Sequence, residues 1–266
     1  VEYSSIEILS LGRNFLTTGI STASSSQPAV SKSAARDIRM CGRFTNTMTW
    51  AEIHALYNIH DNTPPPSNMP PRYNIAPTQS VYFAHKDKAG ELEIDYGRWW
   101  LVPFFANELP KAAMFNARIE TVDTSGAFRE PFKSKRCLIP ADGYFEWTTS
   151  EEGGKKDPWL LQLPEAKPLS FAGLWSHNDK LGVTSCTIIT APAVDHIAHI
   201  HTRMPVMLDP AAYETWLDAS VQGADAKAFL LENQIDGQLE FYRVGRELNS
   251  SRYDGSDTKK PILNSL

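Results

Sequence analysis

Apolar and polar positions change rhythm several times along this chain. Thr49-Trp50-Ala51-Glu52 forms a capping box ahead of Ile53, Leu56 and Tyr57, a spacing that predicts a helix running to about Ile59. A proline-rich loop follows (Pro64, Pro65, Pro66, Pro70, Pro71) and leads into Arg72-Tyr73-Asn74-Ile75-Ala76-Pro77-Thr78, which reads as a rigid extended turn. Strands are predicted at 80–85 and 91–102, joined by a turn over Asp87–Gly90. Residues 116–121 read as extended and 122–129 as a short helix. Cys137-Leu138-Ile139-Pro140 and Tyr144-Phe145-Glu146-Trp147 predict two strands about a turn at Asp142-Gly143, with further strands at 158–163, 169–174 and 184–190. Helices are expected at 192–199, 210–218 and 224–232, and a last strand at 239–244. Many strands, few helices and no regular β-α-β alternation imply an α+β fold. The expected form is one strand-rich domain on an antiparallel or mixed sheet, curled towards a barrel, with peripheral helices.

Residues 1–39 break this pattern. They hold twelve Ser/Thr and no apolar stripe beyond the short Ile6–Leu11 run, so they read as a disordered or non-native N-terminal extension. No secretory apolar core stands there. The folded domain is expected to span 40–266. Composition changes the picture only modestly: 42% apolar and 11% aromatic residues are ordinary for a globular chain of 266 residues. No apolar run approaches the roughly 18 residues of a membrane helix. A net charge of −5 argues against a general nucleic-acid coat protein. Residues 98–136 nevertheless carry seven Lys/Arg against four acids, a local +3 that suits a basic cleft or an ordinary solvated surface. The three cysteines, Cys41, Cys137 and Cys186, are odd in number and widely spaced, without C-x-x-C. Neither a disulfide framework nor a cysteine zinc site is expected, and a reducing cytoplasm fits best.

Four local features bear on chemistry. Cys41 follows a methionine and is flanked by Gly42 and Arg43; it reads either as a small buried hydrophobe or, at a mature chain terminus, as a paired thiol and α-amine. Asn116 and Arg118 lie two apart on an extended segment and share a face, suited to one anionic or carbonyl ligand or to a strand edge and a surface salt bridge. Glu146 stands between Phe145 and Trp147. On a buried face it is a candidate general acid or base, and on an edge strand it is a solvated carboxylate. His196, His199 and His201 invite a metal reading, but no H-E-x-x-H pattern is present and His201 falls where the predicted helix ends. No metal and no cofactor is expected; His201 beside Arg203 is the stronger proton-transfer candidate.

Six motifs occur in one order: Met-Cys-Gly-Arg-Phe, Arg-Tyr-Asn-Ile-Ala-Pro-Thr-Gln, Arg-Trp-x-Leu-Val-Pro, Asn-Ala-Arg-x-Glu-Thr, Arg-Cys-Leu-Ile-Pro-Ala-Asp-Gly-Tyr-Phe-Glu-Trp and His-x-Arg-Met-Pro. From Met40 to about Ile262 the chain closely resembles the SRAP family (SOS-response-associated peptidases, or abasic-site processing proteins). The resemblance implies a protein that senses abasic sites in single-stranded DNA and bonds to them through an N-terminal cysteine. Its amine and thiol condense with the opened sugar aldehyde to a thiazolidine that shields the lesion during replication. The matching residues are Cys41 as nucleophile, Asn116 on the sugar or ring, Glu146 on the protons of the amine, and His201 in opening the sugar. Arg43, Arg118 and Arg203 match phosphate contacts, and Pro77, Trp99 and Trp147 match stacking and wedge positions.

The peptidase label is expected to concern exposure of the family's own cysteine. A cytoplasmic, nucleoid-associated monomer is implied, with abasic single-stranded DNA as partner, no obligate protein partner and no membrane. Two departures stand out. Trp100 occupies a position where the family commonly has Gly, and 39 residues precede Met40. Met40 is therefore expected to be the initiator. If the extension is retained, Cys41 has no free amine and the expected activity reduces to lesion binding without cross-linking; a His-cluster hydrolase is the remaining alternative.

Overall fold

The computed structural model describes residues 41–59, 65–66, 68–151 and 153–262. The expectations for residues 1–39, and part of the proline-rich loop, fall outside them. In chain order the elements are β1 (Phe44–Asn46), α1 (Trp50–Leu56), β2 (Arg72–Ile75), β3 (Ser80–Lys86), β4 (Leu92–Trp99), β5 (Asn116–Arg118), α2 (Arg129–Ser134), β6 (Arg136–Ala141) and β7 (Gly143–Thr149). There follow β8 (Lys156–Gln162), β9 (Leu169–Asn178), β10 (Val183–Pro192), β11 (Arg203–Pro205), β12 (Met207–Leu208), α3 (Tyr213–Leu217), α4 (Gly223–Glu232) and β13 (Glu240–Arg243). No helix among the described residues is long and apolar enough to cross a membrane.

The strands form two sheets. One runs β13-β8-β7-β1-β2; in the other, β10-β4-β3-β6-β9 close on themselves because β9 pairs back with β10. The pairs β10–β4 and β10–β5 are parallel and the remaining pairs of this ring antiparallel, so the mixed, curled sheet expected from sequence is a closed barrel. Closure brings backbones close at two glycines. A Cβ on Gly97 would lie 2.8 Å from the Thr184 carbonyl oxygen, and one on Gly173 the same distance from that of Thr187. Strand β6 is buried on both faces: Cys137 and Ile139 face one cluster, with Phe44, Trp99 and Tyr144, while Leu138 faces another, with Ile53, Phe132 and Trp216 of the helices. That double burial accounts for its nearly continuous apolar run.

The capping box forms as expected, the Glu52 amide donating to Thr49 Oγ1 at 3.3 Å and the Thr49 amide to Glu52 Oε2 at 2.7 Å. Two expected helices differ. Residues 122–129 are mostly turns and the helix comes later, as α2, whose Pro131 sits in the first turn, where a missing N–H costs nothing. Residues 192–199 are not a helix. The Ala193 amide donates to the Thr202 carbonyl at 3.0 Å and ties the ends of a loop together, and Ile197 and Ile200 plug that loop into the core. Their three-residue spacing serves a turn here, not a helix.

Candidate active site

Strand β7 lies between β8 and β1 in the middle of its sheet, so both of its edges are hydrogen-bonded. Alternation turns Tyr144 and Glu146 to one side, while Phe145 and Trp147 pack with Leu160, Val244 and Leu248 on the other. Glu146 is therefore a buried carboxylate, 3% exposed, and not an outward residue of an edge strand. The antiparallel register of β1 on β7, Phe44 against Tyr144, brings the residues preceding β1 alongside Glu146.

Cys41 arrives there. Its thiol donates to Glu146 Oε1 across 2.6 Å, and both groups are buried. The Asn116 amide, from the first position of β5, donates to the Cys41 carbonyl at 2.9 Å. Asn116 Oδ1 is buried without a hydrogen-bond partner among the described residues, so an acceptor stands idle beside Cys41. His201, at the end of the loop after β10, places Nδ1 3.7 Å from Glu146 Oε1. The same nitrogen lies 2.9 Å from the Arg203 carbonyl oxygen and 3.1 Å from the Arg203 amide. Protonated it donates to the carbonyl; bare, it accepts from the amide. Either state is accommodated without moving the ring, which suits a group that exchanges a proton.

Burial dominates the electrostatics. Desolvation raises the Glu146 carboxyl to about 8, against the lowering effect of the Cys41 hydrogen bond. The Cys41 thiol is pushed well up, first by burial and then by the Glu146 charge, with Arg203 opposing. Tyr144 was not singled out from the sequence, yet it belongs here. Its hydroxyl is buried without a hydrogen-bond partner among the described residues, and its pKa is raised by burial and then by the neighbouring charges of Cys41 and Glu146. The signal was available: Tyr144 is two residues before Glu146 on a strand.

The expected DNA-contact residues are arranged unequally. Arg118 is exposed. Arg43 donates to Asn74 Oδ1 at 2.9 Å and to the Leu248 carbonyl at 3.1 Å, and its guanidinium lies 5.7 Å from the Trp147 ring centre. Trp147 is half-buried, its indole N–H bonded to Asn249. Pro77 is half-buried next to Thr78, whose φ of 79° is unusual for a β-branched residue; the Thr78 amide is held by the Trp99 carbonyl at 2.9 Å. Arg203 is bound through both terminal nitrogens to Glu120 and to the Thr190 carbonyl, which leaves it closed to an incoming phosphate. Trp99 needs correcting outright. It is 1% exposed, packs edge-on against Phe44 and Phe115, and spends its indole N–H on the Phe115 carbonyl, so no base stacks on it. An open aromatic surface lies just beyond β4, where Phe104 and Phe105 are 55% and 59% exposed and pack edge to face. His196 and His199 lie against Phe241, apart from His201's contact with Glu146.

A model of the SOS response associated peptidase (SRAP) family matches residues 40–251. Abasic site processing protein YoaM of Bacillus subtilis (strain 168) is 33% identical over 222 residues, covering 82% of this chain and 96% of that protein. Abasic site processing protein YedK of Escherichia coli (strain K12) is 28% identical over 229 residues, covering 84% and 100%. A crystal structure of a Bacteroides thetaiotaomicron protein superposes with a TM-score of 0.70 at 22% identity, over 84% of this chain and all of that one, which shows a shared fold. With the family match running from just before the buried cysteine almost to the end of the described residues, the chain belongs to the SRAP family.

Proposed function

We propose that this protein processes abasic sites in single-stranded DNA by covalent capture, with Cys41 as the first residue of the working chain after loss of Met40. The observation that carries this reading is the Cys41 thiol 2.6 Å from the buried Glu146 carboxylate, with Asn116 and His201 beside them. A buried carboxylate raised to about 8 lacks a close full cation. An α-ammonium on Cys41, within one residue's reach, supplies it and leaves Asn116 Oδ1 a donor to accept.

The chemistry follows from the groups present. His201 protonates the ring oxygen as the abasic sugar opens to its aldehyde. The Cys41 amine adds to the aldehyde carbon, and the resulting hydroxyl leaves as water with a proton from Glu146, giving an imine. The thiol then adds across the C=N bond. Sulfur bonds to carbon, the thiol proton passes through Glu146 to nitrogen, and a five-membered thiazolidine closes. Arg43 and Arg118 hold the flanking phosphates, and the exposed Phe104–Phe105 pair with Trp147 and Pro77 gives bases a stacking surface. The work is done at DNA in the cytoplasm, and the only peptide chemistry required is removal of what precedes Cys41.

A chain beginning at Cys41, incubated with an abasic single-stranded oligonucleotide, is expected to give a denaturation-resistant adduct whose mass is the sum of the partners less one water. Cys41→Ala abolishes it. A stable adduct persisting in Cys41→Ala, or none from the native start, sinks the mechanism; non-covalent lesion binding by a chain retaining residues 1–39 is then the reading left.

A further inference from the structure

We propose that His85, Glu93 and Asp95 form a site for one zinc-like divalent cation on the β3–β4 hairpin, using none of the residues around Cys41. The hairpin register sets His85 opposite Glu93 and Phe83 opposite Asp95, so all three side chains project from one face of adjacent strands. Their candidate ligand atoms lie within 4.8 Å of one another.

The hydrogen bonding of His85 asks for a cation. Its Nδ1 lies 3.0 Å from the Lys86 carbonyl oxygen, which only accepts, so the ring proton sits on Nδ1. Nε2 then points at Asp95 Oδ2 at 3.0 Å and Glu93 Oε1 at 3.4 Å. A neutral imidazole has one proton, already used, and its remaining lone pair faces two carboxylates. A second ring proton or a metal ion must lie between them, and the spacing suits a metal. Ligand atoms roughly 2.0–2.1 Å from a tetrahedral zinc sit about 3.3 Å apart. Metal-bound histidines typically donate their other ring N–H to a carbonyl or carboxylate, as Nδ1 does here.

The surroundings fit as well. Trp175 stacks on the His85 ring with centroids 4.2 Å apart, and the imidazole is 1% exposed. Glu93 and Asp95 are half-exposed, so a cation has an entry path from solvent. One imidazole and two carboxylates with a fourth position open to water make a donor set for zinc. A scan for histidines close together in sequence misses this site, because the hairpin assembles it from a lone His and a Glu-x-Asp pair.

The test is zinc chloride titrated into the metal-stripped full chain, followed by calorimetry and elemental analysis. One equivalent is expected in the wild-type protein and in Cys41→Ala, with affinity weakened at least about tenfold in both Glu93→Gln and Asp95→Asn, half-exposed substitutions the fold tolerates. The His85 ring nitrogens, followed by NMR, should shift at Nε2 on addition of zinc. No stoichiometric binding, binding indifferent to both substitutions, or an unshifted ring carrying two N–H protons overturns the proposal; the last result means that only a proton occupies the site.

Discussion

Glu146 sits at 3% exposure with a thiol for its nearest hydrogen-bond partner, and its carboxyl titrates near 8 because water is excluded. Between its ordinary value of 4.5 and about 8 the folded chain keeps a proton that the unfolded chain releases. The resulting stabilisation is complete below the unfolded value and is lost as pH rises through the folded one. With the residues before Cys41 retained, so that no α-ammonium faces Glu146, thermal stability should therefore fall from pH 5 to pH 9, and Glu146→Gln should flatten that dependence; equal slopes in the two proteins would mean Glu146 is not the titrating group. A positioned general acid typically contributes about 10²–10⁴-fold to rate, so in the chain that begins at Cys41 the same substitution should slow adduct formation by at least about a hundredfold. Binding of intact single-stranded DNA should remain within about twofold, because no proton transfer is involved in it.

At the level of elements, the site depends on how closely strands approach one another. β10 pairs with β4, β5, β9 and β11, and it can do so because Gly97 and Gly173 offer no side chain where its carbonyls come near. A methyl on Gly173 would meet Thr187 O and Ile139 Cδ1, both at 2.8 Å, and Cys137 Sγ at 3.0 Å, all parts of the packed barrel. Overpacking of this kind costs about 1–3 kcal/mol. At roughly 2–4 °C per kcal/mol for a domain of this size, Gly173→Ala should lower Tm by several degrees. Gly237→Ala is the control, since nothing lies within 4 Å of its added Cβ. If the two variants melt together, close approach is not what the barrel requires of position 173. The consequence for function is direct: β5 hangs on β10 through Ile188 and Asn116, so slackening β10 moves Asn116 from the Cys41 carbonyl.

For the molecule as a whole, strand rhythm, the capping box and the motifs around Cys41, Asn116, Glu146 and His201 were legible in the sequence because they are local. What was not legible depends on sheet order and strand orientation. Alternation finds the strand carrying Trp99 but not which face is core, and the Ile197/Ile200 spacing fits a helix as well as a plugged loop. Nor does it show that Glu120 claims Arg203. Of the three arginines expected to meet phosphates, Arg203 is held by Glu120, which leaves Arg43 and Arg118 in a protein of net charge −5. Each phosphate neutralised on a single strand contributes roughly −0.7 to the slope of log affinity against log salt, so Arg43 and Arg118 together imply about −1.4. Cys41→Ala protein, which isolates the non-covalent step, should give that slope on abasic single-stranded DNA, and adding Arg118→Ala should flatten it by about 0.7. Glu120→Gln should steepen it instead, by releasing Arg203 from its carboxylate. A slope steeper than about −4, or one indifferent to Arg118, would mean the strand runs over a different face of the molecule.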